Sequence, residues 1–382
     1  MNHPSRPTSF FHAARARTLA AGVVALAVLL FQSTATTTRA LAEPSAGVTV
    51  FATGLNNPRG LTFGPGGKLY VAEGGTGGST STVGLCTQVI PPVGPYTGGF
   101  TARVSVINRE GVRATVADGL PSSQTSPALG SLVSGVAALQ FVGGKLYALL
   151  AGAGCSHGIV GVPNGILRIG PDGQRTLVAN LSEFIMRHPV ANPNPDDFEP
   201  DGTWFSMVRV GHSLFAVEPN HGELDKITLK HDGTTATISR VADISASQGH
   251  IVPTAVAYHD GDFYVANLNT FPTVPGSSKL LRISPRGEVK VVLTGLTAVV
   301  GLAFHEGSLY ALEMSTAANG PTPGNGAVVR INDDGTTTPI ISGLTFPTAM
   351  AFGPDGKLYI STFGFGFPPG AGQIVRVTLP SD

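Results

Sequence analysis

The stretch FPTAMAFGPDGKLYISTF, Phe346–Phe363, reads as strand, tight turn, strand. TAMAF places small and apolar residues at strand spacing. In GPDGK the proline presets φ, the aspartate bonds its own backbone and the glycine accepts positive φ. KLYIS is a second β-rich run. Five further copies of the pattern occur upstream. They are NPRGLTFGPGGKLYVAE ending at Glu73, VSGVAALQFVGGKLYALL ending at Leu150 and the divergent DGTWFSMVRVGHSLFAVE ending at Glu218. VPTAVAYHDGDFYVAN ends at Asn267 and VVGLAFHEGSLYALE at Glu313. An aromatic residue recurs in the second strand of every copy, as Tyr70, Tyr147, Phe215, Tyr264, Tyr310 and Tyr359.

Each copy is followed by two more short β runs, for example LLRI and then EVKVVLTGL, or VVRI and then TTTPIISGL. The repeating unit is therefore four antiparallel strands, the period and composition of a β-propeller blade. Six units are present. The last ends at IVRV without its fourth strand, and the lone run GVTVFATGL (Gly47–Leu55) supplies one from the N-terminus. The sequence thus predicts an all-β, six-bladed β-propeller over residues 43–382, with the ring closed by the N-terminal strand so that no sheet edge stays open. Trp204, the only tryptophan, is expected to pack between blades.

Residues 1–42 are set apart. Arg15 and Arg17 precede an apolar run, Leu19–Phe31, and Ala40-Leu41-Ala42 follows a small polar stretch. That is the order of a secretory signal peptide, with cleavage expected after Ala42 and a secreted or periplasmic product. Nothing after the signal is apolar enough to span a membrane. The signal holds four arginines and no acid, leaving 20 basic and 24 acidic residues, a formal charge of −4. With no basic run, nucleic acid is excluded as a partner. In an exported chain the two cysteines, Cys86 and Cys155, are expected to form a disulfide stapling two neighbouring Gly-rich loops. The rival reading is a Cys155–His157 metal or nucleophile pair.

Antiparallel order also assigns faces. The tight turns between strands one and two lie on one face, and the long loops after strand two open on the other. Functional residues concentrate on loops carried by a rigid scaffold, so the long-loop face is where a small molecule or protein partner is expected. Ends of strand two bring Glu73, Glu218, Asn267 and Glu313 to that face, followed by Asn220 and His221. Starts of strand one, or residues just before them, bring Arg59, Glu199, Asp201 and His250. All ten are candidate ligand-binding residues at the channel mouth. Glu73, Glu199, Glu218, His221, His250 and Glu313 are the candidate ligands for a divalent cation, calcium or another. Wet channel polarity and backbone capping remain the competing reading, and general acid–base catalysis a third. Asp197, Glu199, Asp201 and Gly202 have part of a calcium-loop spacing, but Val208 stands where the closing glutamate belongs. No GxSxG, HExxH, CxxC or Walker motif is present.

GPYTGGFTARVS, AGAGCSHG, DDFEPDGTW, EPNHGELD, SASQGHIVPTA and GLTFPTAMAFGPDGKLYISTFGFG together resemble the ScyD/ScyE family, named for the gene cluster of the extracellular pigment scytonemin. The resemblance spans Gly47–Val377. More distantly the repeat is similar to NHL and SMP-30/gluconolactonase propellers. The first resemblance implies an exported propeller without a settled catalytic activity. The second implies metal-dependent lactone hydrolysis, with no matched ligand set here. Two classes therefore stand: a binding or accessory protein, and a metal-dependent hydrolase or lyase.

Overall fold

The computed structural model describes residues 47–379. The expected signal peptide, residues 1–42, lies outside them. The described chain forms six antiparallel sheets around a common axis. Blade 1 runs from Pro58 to Ser134, blade 2 from Val136 to Asn180 and blade 3 from Ser206 to Asp243. Blade 4 is Pro253–Leu296 and blade 5 Val299–Leu344; blade 6 joins Ala349–Phe352, Leu358–Thr362 and Gly372–Val377 to the N-terminal strand Val48–Leu55. That strand pairs antiparallel with Gly372–Val377, Val48 opposite Val377 and Leu55 opposite Gly372. Closure of the ring by the chain start is thus as the sequence predicts.

Sheet faces point at neighbouring blades, so alternating apolar residues bury between blades and not toward the axis. Six apolar clusters result, each spanning one pair of adjacent blades. The recurring aromatic of strand two bridges this seam. Tyr70 meets Phe141, Tyr264 meets Phe304, Tyr310 meets Phe352 and Tyr359 meets Phe63, all edge-on at centroid distances of 4.9–5.2 Å. Edge-on pairs add about 0.5–1.5 kcal/mol beyond area burial, which explains why the repeat keeps an aromatic there. Trp204 is buried in the cluster between blades 2 and 3.

The tight turns have the backbone their residues allow. Asp260–Gly261 and Glu306–Gly307 both sit at positive φ (48° and 88°, 48° and 80°), the two-residue geometry that matches strand twist. On the other face, hydroxyls at the starts of the innermost strands reach the next blade. Ser206 Oγ donates to Thr254 O, Thr254 Oγ1 to Val299 O and Thr348 Oγ1 to Pro58 O. Carbonyls on an innermost edge have no further strand to pair with, and these hydroxyls satisfy them.

Two features go beyond the sequence reading. The outer strands of blade 1, Thr97–Ile107 and Arg113–Gln124, extend past the sheet and pick up a fifth short strand, Val133–Ser134. A helix, Leu181–Arg187, links blades 2 and 3; its cap Asn180 accepts from Glu183 N at 3.0 Å.

Candidate functional site

The disulfide joins Cys86 and Cys155 across a Cα–Cα distance of 6.3 Å, and the described residues hold no free cysteine. This removes Cys155 as a nucleophile or metal ligand.

The ten candidate residues separate into three groups. The strand-two ends form the first. Glu73 accepts from Asn56 N (2.6 Å), Arg103 Nε (2.6 Å) and Ser105 Oγ. Glu218 accepts from Thr203 N (2.8 Å) and His221 N, and Glu313 from Thr297 N (2.6 Å). Asn267 donates to Ile251 O and accepts from Lys279 N. In each case the side chain ties the end of strand two to the segment entering its own blade. All four are buried. Glu218 and Glu313 have carboxyl pKa values raised by burial, partly offset by the backbone donors. The expectation that these side chains converge on the axis is corrected: strand two is one strand removed from the channel, so its side chains point into the seams between blades.

The second group holds one segment in place, Asn194–Asp201, which crosses the mouth before blade 3. His221 Nε2 sits 2.9 Å from Glu199 O, Asn220 Nδ2 donates to Asp197 O at 3.2 Å, and His250 Nε2 lies 2.8 Å from Asp197 Oδ2. Asp201 Oδ2 accepts from both N and Oγ of Ser156, beside Cys155, at 2.7 Å. The strap and the disulfide loop are thereby one assembly.

The third group faces the channel. A cavity of about 760 Å³ runs along the inner strands and opens at this mouth, with walls of Leu61, Ala138, Met207, Val256, Leu302 and Met350. Arg59, Glu199 and Asn220 line it, with Asp197 and the unforeseen Tyr96 and Phe365. Tyr96, from the long loop of blade 1, donates its hydroxyl to Glu199 Oε1 at 2.5 Å. Burial and the Glu199 carboxylate push the Tyr96 phenol well above its ordinary pKa. Behind Glu199, fully buried His157 places Nε2 3.4 Å from Oε2 and Nδ1 2.8 Å from Ser123 Oγ. Glu199 Oε2 is buried and has no hydrogen-bond partner among the described residues. Arg59 is 7% exposed, donates to Val133 O and stacks over Phe365 at 4.9 Å. No carboxylate among the described residues pairs with it, and desolvation lowers its pKa to about 10, so it remains a cation at neutral pH.

No group of three His, Cys, Asp or Glu side chains able to hold a metal ion occurs among the described residues. The six candidate cation ligands are engaged elsewhere: Glu73 and Glu313 within their own blades, Glu218 with Thr203 N and His221 N, His221 and His250 against the strap, and Glu199 with Tyr96. The donor set does not fit a divalent cation. Nor is any helix among the described residues long and apolar enough to cross a membrane.

Sequence reasoning missed Tyr96 and Phe365 because they lie in the segments GPYTGGF and FGFG, where no period assigns a direction, and Ser123 because it lies in LPSSQ, where the outer strand of blade 1 runs on past the repeat.

No protein-family model matches the chain, and no curated protein is significantly similar to it. Solved structures are. The calcium-binding protein regucalcin of Agrobacterium tumefaciens superposes with a TM-score of 0.53 at 15% identity, covering 87% of this chain and 94% of that one. A gluconolactonase of Xanthomonas campestris gives a TM-score of 0.51 at 12% identity, covering 87% and 89%. What these proteins share with this chain is the fold. It is a six-bladed β-propeller.

Proposed function

We propose that the chain is an exported propeller of the ScyD/ScyE type that binds a small molecule at its channel mouth, as an accessory rather than a catalytic protein. The observation that carries this reading is the cavity: about 760 Å³, mostly apolar along its walls, with convergent polar groups at one end. Such a combination is the usual form of a small-molecule site. The sequence features in support are the signal-like N-terminus and the family resemblance over Gly47–Val377. The strap and the disulfide loop brace the polar end without filling the channel. The test is mass spectrometry of small molecules released from protein exposed to its culture medium and then washed. A stoichiometric compound is expected from the natural chain and none from Ala349→Trp, which places a large ring in the mouth. Recovery from neither protein, or equally from both, contradicts the reading.

A hydrolase or lyase is the second reading, and one observation favours it. Ser123 is hydrogen-bonded to His157, whose ring lies 3.4 Å from Glu199 at the channel wall beside Tyr96, a grouping of residue types used in general acid–base chemistry. The two superposed proteins carry calcium binding and gluconolactonase in their names, but the residues here do not assemble their own cation ligands. Elemental analysis of purified protein checks this: a stoichiometric divalent ion after dialysis would revive the metal-dependent form.

A further inference from the structure

Arg59 presents a problem that the fold alone does not solve. It is a cation, more than nine-tenths buried, in the wall of a largely apolar cavity. A buried charge is ordinarily paired, because removal from water is otherwise too costly. Even half-buried arginines that sit against buried carboxylates are paired here. Arg103 pairs with Glu73 and Arg240 with Glu223. Among the described residues Arg59 has only the Val133 carbonyl and the face of Phe365. A guanidinium carries five N–H donors in a rigid fork, and one hydrogen bond leaves most of them unused. Desolvation is the one influence acting on its pKa, with no carboxylate offsetting it.

We propose that Arg59 is the anchor for an anionic ligand: a small organic acid whose carboxylate takes the guanidinium fork and whose apolar body lies along the channel. The inference rests on the small-molecule reading above and narrows it to a class. The fork geometry matches a planar carboxylate. The rest of the mouth argues for a single negative charge. Asp196, Asp197 and Glu199 also line the cavity, and a polyanion such as phosphate would meet their repulsion with only one arginine to offset it. The length of apolar wall favours a ligand with a hydrocarbon or aromatic body over a bare inorganic anion.

The test compares matched pairs of probes, benzoate against benzamide and octanoate against octanamide, with sulfate as the inorganic arm, by thermal shift and calorimetric titration. At least one carboxylate is expected to raise the melting temperature and to bind about tenfold or more tightly than its amide, as a charge-assisted hydrogen bond requires. Arg59→Met should abolish that preference while melting cooperatively without ligand at or above the natural temperature, since it removes an unpaired buried charge. Arg59→Gln carries the same comparison if the methionine variant does not fold. Amides binding as well as acids would overturn the anion assignment and leave the small-molecule reading standing. No binding by either member of both pairs would overturn both. Sulfate matching the carboxylates would make this an inorganic-anion site and overturn the organic-acid class, as would a carboxylate preference that survives Arg59→Met.

Discussion

Tyr96 and Glu199 meet across 103 residues of sequence, phenol to carboxylate at 2.5 Å, and the contact joins the long loop of blade 1 to the strap before blade 3. Both residues are buried, so neither can exchange its partner for water. Tyr96→Phe should therefore lower stability by about 1–3 kcal/mol, the cost of a buried acceptor losing its donor. Denaturant melts of the two proteins measure this. An unchanged midpoint would mean that water reaches Glu199 and that the mouth is more open than the structure shows.

The strand-two ends make a contrasting set. Glu313→Ala leaves Thr297 N–H without its acceptor, and a loss of about 1–3 kcal/mol is expected. Ligand binding at the mouth should be untouched, because Glu313 points into the seam between blades. Loss of binding with stability intact would return Glu313 to the site.

These two residues show what was legible in the sequence. Strand order, blade number and ring closure follow from a period that Tyr70, Tyr264, Tyr310 and Tyr359 punctuate, and their inter-blade contacts explain the punctuation. The loop face also follows, since antiparallel connectivity leaves no alternative. Side-chain direction at strand ends does not follow. Glu73 and Arg59 both lie at the mouth, yet only the innermost strand borders the channel. Glu73, one strand out, turns into the seam and meets Arg103, while Arg59 lines the cavity. The partners of Glu199 were illegible for another reason: Tyr96 and His157 come from loops whose course is set by tertiary packing and the disulfide.

Replacing Cys86 and Cys155 together by serine opens a loop of 69-residue separation. Chain-entropy arithmetic assigns such a bridge about 3–5 kcal/mol, less where the native loops are strained. Chemical denaturation under non-reducing conditions should show the difference. Because Thr82 Oγ1 also donates to Cys155 O, the loops should stay docked in the variant at low temperature, visible as unchanged amide hydrogen-exchange protection in both loops.

Glu223 predicts a pH dependence. Burial, with Glu218 nearby and Arg240 only partly offsetting, raises its pKa from 4.5 to about 7. Asp225 and Glu218 shift upward for the same first cause, desolvation. A group whose folded pKa lies above its unfolded value contributes stability that is complete below the unfolded value and is lost as pH rises through the folded one. Stability should therefore fall as pH rises from about 4.5 through about 7, by up to about 3 kcal/mol for Glu223 alone. Melting temperatures across that window should decline more steeply for the natural chain than for Glu223→Gln. Parallel curves would contradict the assignment.

Titrating the folded protein with 8-anilinonaphthalene-1-sulfonate asks whether the channel is a small-molecule site. This probe joins one anionic group to an apolar aromatic body, and Trp204, the only tryptophan, lines the cavity as an internal donor. Saturable binding of one probe per chain is expected, with blue-shifted emission and energy transfer from Trp204, lost in Ala349→Trp. Absence of stoichiometric binding to the folded natural chain, or binding that Ala349→Trp leaves unchanged, would contradict it.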